Sequence, residues 1–180
     1  MSRNIKITID PGHGGSDPGA VVGDVYEKDI ALAVSMFLVE YLPERFTLIY
    51  TREKDNDVPL SRRTQTSNSV GSELFVSIHA NAAENINAHG IETFHFPSSD
   101  YGNNLASCVQ KSLIQKTDAN DRRVKTANFY VLRTTRAPAI LVELGFITNE
   151  TERQMLIQEN YQKTLAKAIS CGIVDYVDNF

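Results

Sequence analysis

The chain of 180 residues has no tryptophan, two cysteines and three methionines, and its charge balance has no basic surplus. Each scarcity excludes something. Spanning a bilayer core takes about 20 apolar residues, and the longest helix-like apolar stretch, Ile30 to Val39, reaches about half of that. Eighteen basic against 22 acidic residues leave a net charge of −4. That argues against a general affinity for nucleic acid or anionic membrane, and against unaided adsorption to an anionic bacterial wall. Cys108 and Cys171 stand alone in helical patterns without a Cys-x-x-Cys spacing, and they read as small buried hydrophobes. The start does not resemble a signal peptide, because Arg3, Lys6 and Asp10 interrupt it and a strand begins at once. The expectation is a cytoplasmic product, a protein exported by another route, or a domain of a longer precursor.

What is present is the composition of a folded globular chain, 42% apolar and 22% charged, enough for one domain over residues 1–180 with a substantial core. No internal repeat, low-complexity tract or linker breaks it. Strand-like and helix-like patterns alternate, which predicts an α/β fold with a mostly parallel sheet and helices on both faces. The strands are expected at Ile5 to Ile9, Phe46 to Thr51, Leu74 to Ile78, Ile91 to Phe96, Phe129 to Leu132 and Ala139 to Leu144. Helices are expected from about Lys28 to Leu42, from Asn103 to Lys116 and from Tyr161 to Val177. A polar helix is expected between Pro59 and Gly71. A short helix follows Asn149, which with Glu152 resembles a capping box.

Three residues break these patterns. Glu143 sits inside the apolar run Ala139-Ile140-Leu141-Val142-Glu143-Leu144, where an ionised carboxylate is costly unless a cation, a hydrogen-bond network or a catalytic water compensates it. The strand ending at Ile9 runs into Asp10-Pro11-Gly12-His13-Gly14-Gly15, and the strand ending at Ile78 runs into His79-Ala80-Asn81. Ligands in open α/β sheets bind beyond the carboxyl ends of the strands, so one cleft can hold all three, with Glu27 just before the first helix on the same side. Two histidines and a carboxylate are the donor set of a catalytic zinc, which leaves one position open for water. Residue types alone do not say which of Glu27, Glu92 and Glu143 is ligand and which is base. Glu143 has a plainer reading as the partner of a buried arginine such as Arg52. The glycine-rich loop lacks the features of a P-loop or a dinucleotide fingerprint.

At this point the chain resembles the catalytic domain of zinc-dependent N-acetylmuramoyl-L-alanine amidases, the family of bacterial cell-wall autolysins and some phage endolysins. Eight segments stand in family order: IDPGHGGSDPGA from Ile9, YEKDIALA from Tyr26, TRE from Thr51, LSRR from Leu60, LFVSIHANA from Leu74, GIETF from Gly90, ANFYVLR from Ala127 and PAILVELGFITN from Pro138. The resemblance implies that His13, Glu27 and His79 hold one zinc ion and that Glu143 is the catalytic glutamate. It implies a twisted, mostly parallel six-stranded sheet flanked by helices. It further implies a peptidoglycan hydrolase that cleaves the amide between N-acetylmuramic acid and L-alanine of the stem peptide, with zinc-activated water and glutamate as general base. A monomer acting on the bacterial wall, secreted or phage-delivered, with any wall-binding domain lying outside this chain, is the accompanying expectation. The sequence departs from the family at Ala31, where asparagine is common, and at Asp121-Arg122-Arg123, where Asp-Arg-Gly is common. No inhibitory helix fits between Ala82 and Gly90, so an open site is expected.

Two other readings compete. A zinc peptidase would use similar ligands and differ in the bond it cuts. A wall-binding module with a structural metal would close its site with four protein ligands, and only three are apparent here. The cations Arg122, Arg123, Lys125, Arg133 and Arg136 could hold stem-peptide carboxylates, but read more simply as a solvated loop face. His89, in a polar loop, and His95, between Phe94 and Phe96, are not expected to be ligands.

Overall fold

The computed structural model describes residues 4–180, so Arg3 lies outside the described residues. In chain order the elements begin with β1 (Ile5–Pro11), the short strands β2 (Val21–Val22) and β3 (Val25–Tyr26), and α1 (Glu27–Phe37), which tightens into a 3₁₀ turn at Leu38–Glu40. They continue with β4 (Phe46–Tyr50), α2 (Leu60–Val70), β5 (Leu74–Asn81), β6 (Ile91–His95) and α3 (Asp100–Thr117). Last come β7 (Asp121–Thr126), α4 (Tyr130–Thr134), β8 (Ala139–Phe146), α5 (Glu150–Leu156) and α6 (Glu159–Asn179). A six-stranded sheet has the order β4-β1-β5-β8-β6-β7. Every neighbouring pair in it is parallel except β6 with β8. β2 and β3 form a separate antiparallel ribbon. Among the described residues, no helix is long and apolar enough to cross a membrane.

The two-residue period of a strand sorts the sheet into two unequal faces. Ile5, Ile7 and Ile9 of β1, Val76, Ile78 and Ala80 of β5, and Ile140, Val142 and Leu144 of β8 join one core with Ile30 and Val34 of α1, Leu105 and Val109 of α3, and Ile169 and Ile173 of α6. The other face carries a smaller apolar cluster, in which Phe75, Ala139 and Leu141 meet Val131 and Leu132 of α4. Around the site the residues of that parity are polar: Thr8 and Asp10 on β1, Ser77 and His79 on β5, Glu143 on β8. The site therefore forms on the thinly covered face, at the carboxyl end of the central strands.

Helix boundaries follow local chemistry. Pro59 precedes α2, and Gly71 ends it in the left-handed region at φ 65°, a conformation glycine adopts freely. Ser99 caps α3 by accepting the Gly102 amide at 3.0 Å. Only half of the expected capping box forms at α5. Asn149 accepts the Glu152 amide at 3.1 Å, but the Glu152 carboxylate turns to the amides of Gly90 (2.8 Å) and Phe146 (2.6 Å).

One expected element is corrected. Phe129 to Leu132 is not a strand: Tyr130–Thr134 is a single helical turn that sets Val131 and Leu132 against Phe75. A four-residue apolar run has no period to separate one turn of helix from a short strand. The sixth strand is instead β7, whose sequence DRRVKT shows no apolar alternation because it is an edge strand. The cysteines are also corrected. Both are free thiols, Cys171 exposed and Cys108 only half-buried, because Cys171 lies on the face of α6 away from its buried stripe and Cys108 lies at the margin of that of α3.

Candidate metal centre

His13 stands at the end of β1, in a turn whose backbone is closed by Gly14 N donating to Asp17 O at 2.9 Å and Asp17 N donating to Gly14 O at 3.2 Å. This turn holds His13 at φ 58°, in the left-handed region that non-glycine residues enter at a cost. It also brings the Asp17 carboxylate to 2.8 Å from His13 Nδ1, which turns the ring's Nε2 toward the cleft. Glu27 opens α1, and its side chain is buried, with Oε2 accepting the Ala20 amide at 2.9 Å and Oε1 the Ala80 amide at 3.2 Å. His79 extends from β5, directly opposite Glu143 on the neighbouring strand β8. Gly12 gives its ring room: a Cβ there would fall 2.3 Å from His79 Cε1.

These three side chains converge. His13 Nε2 is 3.1 Å and His79 Nδ1 is 2.8 Å from Glu27 Oε1, and the donor atoms of all three lie within 4.8 Å of one another. The rings meet edge to face at 4.9 Å. Burial opposes charge on His13, but the bonds and field of Glu27 and then Asp17 outweigh it and raise its pKa to about 9. Burial likewise opposes the charged form of Glu27, yet the two histidines hold its pKa well below the usual carboxylate range.

Glu143 is different in kind. Its Oε2 is covered and has no hydrogen-bond partner. Burial, opposed in part by His79 and reinforced by Glu27 and Glu92, raises its pKa to about 7. The expected alternative partner, Arg52, is committed to backbone carbonyls at Pro11 (3.1 Å), Gly12 (2.7 Å) and Lys28 (2.8 Å). Glu92 stands opposite Glu143 across β6 and β8, but it is fully engaged. It accepts from Arg122 and Lys125 at 2.6 Å each and from Asn81 at 2.9 Å. Of the three competing glutamates, then, Glu27 faces the two histidines, Glu92 is neutralised by Arg122 and Lys125, and Glu143 is half-buried with one covered, unpartnered oxygen.

The cleft around these groups has a volume of about 600 Å³. It is lined by His13, Glu27, His79 and Glu143 together with the apolar residues Val58, Pro59, Leu60, Phe129, Tyr130 and Leu141. The basic residues near β7 do not form one group. Arg122 and Lys125 are tied to Glu92, Arg133 donates to Asn128 Oδ1 at 2.7 Å, and the backbone amide of Arg136 donates to Asn68 Oδ1 at 2.9 Å. His89 is exposed in the loop after β5, with Nδ1 2.9 Å from Asn87 O, and His95 is buried in β6 with Nδ1 2.9 Å from Phe96 O.

Sequence reasoning missed the groups behind this cluster. Arg63 of α2 pairs with the buried Asp10 at 2.8 Å and donates to the carbonyls of Pro11 (2.6 Å) and His13 (2.7 Å). Asp55 and Asp57 accept the amides of Gly15 (2.6 Å) and Ser16 (2.9 Å). The signal for Asp17 was available, since it lies four residues after His13 in a glycine-rich turn. The arginines gave none, because nothing in TRE or LSRR says which loop each would reach.

With the geometry established, the chain can be set beside known proteins. The profile of the family described as N-acetylmuramoyl-L-alanine amidase matches residues 7–175. The uncharacterized protein YqiI of Bacillus subtilis is 40% identical over 176 residues, which cover 96% of this chain and 84% of that protein. The sporulation-specific N-acetylmuramoyl-L-alanine amidase of the same organism is 36% identical, over 94% of this chain and 67% of its own length. Among solved structures, an N-acetylmuramoyl-L-alanine amidase from Clostridium difficile 630 superposes with a TM-score of 0.95 at 36% identity, covering 99% of each chain.

Proposed function

This chain belongs to the N-acetylmuramoyl-L-alanine amidase family, and from that premise we propose that residues 1–180 form one catalytic domain in which His13, Glu27 and His79 hold a zinc ion and Glu143 is the general base. The reaction is hydrolysis of the amide between N-acetylmuramic acid and L-alanine of the peptidoglycan stem peptide, and its place of action is the bacterial cell wall. The observation that carries the metal reading is the convergence of three donors within 4.8 Å beside a buried, unpartnered carboxylate oxygen.

The donor set fits zinc by type, two imidazoles and a carboxylate with fewer than the four protein ligands that close a structural site. Asp17, on the far nitrogen of His13, is the kind of second group that orients a ligating ring. When bound, zinc supplies Lewis-acid polarisation of the scissile carbonyl and of the attacking water. Glu143 takes a proton from that water as its oxygen attacks the lactyl carbonyl carbon. It then delivers the proton to the alanine nitrogen as the C–N bond breaks, so the products are a lactyl carboxylate and a free stem peptide. Burial raises the affinity of Glu143 for that proton, which suits a group that must first accept it and then give it up. Leu60, Phe129 and Tyr130 offer exposed apolar surface in the cleft against which the substrate can pack.

The test is mass spectrometry of muropeptides incubated with the protein, with chelator, and with chelator followed by zinc. Free stem peptides with an N-terminal L-alanine, present only when metal is present, are the expected products. Cleavage within the peptide would instead make the chain a zinc peptidase. His13→Ala and His79→Ala should each lose the bound metal, and full zinc occupancy in either would remove that histidine from the ligand set.

Zinc uptake should depend on pH in a defined direction. A histidine must lose its proton before its nitrogen can ligate. In the metal-free protein His13 keeps that proton up to about 9, so between neutral pH and about 9 each unit of pH raises apparent zinc affinity about tenfold, and the gain stops above that point. Competition titration against a chelator at stepped pH measures this, and a flat profile would count against His13 as a ligand. We read the chain as a monomer, secreted or phage-delivered. Its net charge of −4 offers no attraction to an anionic wall, so a binding domain outside this chain would supply targeting.

A further inference from the structure

Arg52 is 3% exposed, and its guanidinium bonds backbone carbonyls only. Among the described residues it forms no ion pair with a carboxylate, whereas the neighbouring Arg63 pairs with Asp10 at 2.8 Å. A buried cation without a paired anion is costly, so its placement calls for a compensating use. The partners show what that use is. Nη2 donates to Gly12 O at 2.7 Å and to Lys28 O at 2.8 Å, and Nε donates to Pro11 O at 3.1 Å. Gly12 immediately precedes His13, and Lys28 immediately follows Glu27. One nitrogen therefore joins the end of β1 to the first turn of α1, two segments that no strand pairing connects. The chain also makes room for this side chain: a Cβ on Gly14 would lie 2.9 Å from Arg52 Cδ and Nε.

We propose that Arg52 is a positioning residue for the metal centre, a strap that fixes the His13 and Glu27 segments relative to each other so that their donor atoms converge. It acts through backbone carbonyls and touches neither metal nor substrate. The inference rests on the reading of His13, Glu27 and His79 as zinc ligands. A planar guanidinium can bond four carbonyls in fixed directions, here those of Pro11, Gly12, Lys28 and Lys54, and a lysine ammonium at the end of a flexible stem cannot reproduce that fork. Residues behind metal ligands typically cost 10–100-fold in metal affinity when replaced, and Arg52→Lys should fall in that range.

The experiment compares zinc retention by the loaded 180-residue chain against a competing chelator in wild type, Arg52→Lys and Arg52→Gln, with thermal unfolding of each measured under excess chelator. The expected result is zinc affinity weakened about 10–100-fold in both variants, with activity at limiting zinc lost and partly restored by excess zinc. A merely structural role would lower the unfolding temperature without changing zinc affinity, and affinity within twofold of wild type would overturn the proposal. Failure of both variants to fold would also overturn it, making Arg52 a folding residue. A wild-type chain that binds no zinc would remove the reading of the site itself. Wild-type binding with unchanged variants would remove only the strap.

Discussion

Glu143→Gln should lower kcat by about 10²–10⁴-fold, the range for loss of a general acid–base group, while leaving zinc bound. Glutamine keeps the shape of the side chain and its place in β8, so a loss of activity cannot be blamed on repacking. It cannot accept a proton from water at neutral pH, and it has none to return to the leaving nitrogen. The native carboxylate is suited to both steps because its Oε2 is covered and unpartnered, and burial raises its pKa to about 7. The sign of the pH dependence follows. Glu143 works as a base only when ionised, so kcat/KM falls as pH drops through its pKa. A bound cation nearby favours the ionised form and moves that limb below 7. The measurement is kcat and kcat/KM on purified muropeptide across pH, with zinc content determined on the same samples. Near-normal turnover in the variant, or an acid limb identical in the residual activity of Glu143→Gln, would show that another group carries the proton.

The parts of the site that sequence reveals are those where a residue contradicts its own surroundings. Glu143 is conspicuous because its apolar neighbours predict a buried strand, and β8 is that strand, with the flanking residues buried on both faces. His13 and His79 are conspicuous because strand patterns stop at them. Two-residue periodicity then carries this to three dimensions, placing Ser77, His79 and Glu143 on the face opposite the larger core. Glu27 has no such contradiction around it, since an acidic residue in a first helical turn is ordinary. Its role rested on the family resemblance, and its contacts with both histidines support it. Least legible are the residues whose meaning lies entirely in long-range contacts. Arg63 sits in a polar stretch that reads as surface, and Arg52 reads only as a buried partner for Glu143; Arg52 is 3% and Arg63 4% exposed, and their partners in the His13 loop lie some 40 to 50 residues away in the chain. The strand at β7 and the turn at α4 fail for a related reason, because an edge strand and a four-residue apolar patch take their form from what they pack against rather than from their own pattern.

Asp10→Ala should destabilise the fold by about 3–5 kcal/mol, the cost of stripping the partner from a buried ion pair. Asp10 is 1% exposed and Arg63 4%. Besides the Arg63 pair, Asp10 Oδ1 accepts the Thr51 hydroxyl at 2.6 Å and Oδ2 accepts the Ser77 hydroxyl at 2.7 Å. Alanine leaves one cation uncompensated and two hydroxyls without an acceptor, in a region where water cannot readily take their place. Set against a typical total stability of about 5–15 kcal/mol, that loss is large enough to unfold a substantial fraction of the protein on mild warming. Asp10→Asn should cost less, because one amide oxygen still accepts hydrogen bonds, though the Arg63 charge remains unopposed. Urea unfolding of wild type and both variants, in zinc and under chelator, measures the difference. The effect should also reach the site, because Arg63 bonds the His13 carbonyl at 2.7 Å and an unanchored guanidinium no longer fixes that left-handed turn. The destabilised variants should therefore lose zinc to a chelator more readily than wild type even at temperatures where they remain folded. An Asp10→Ala variant with an unchanged urea midpoint would mean that Arg63 finds another anion, and that the ion pair under the His13 turn contributes little to stability.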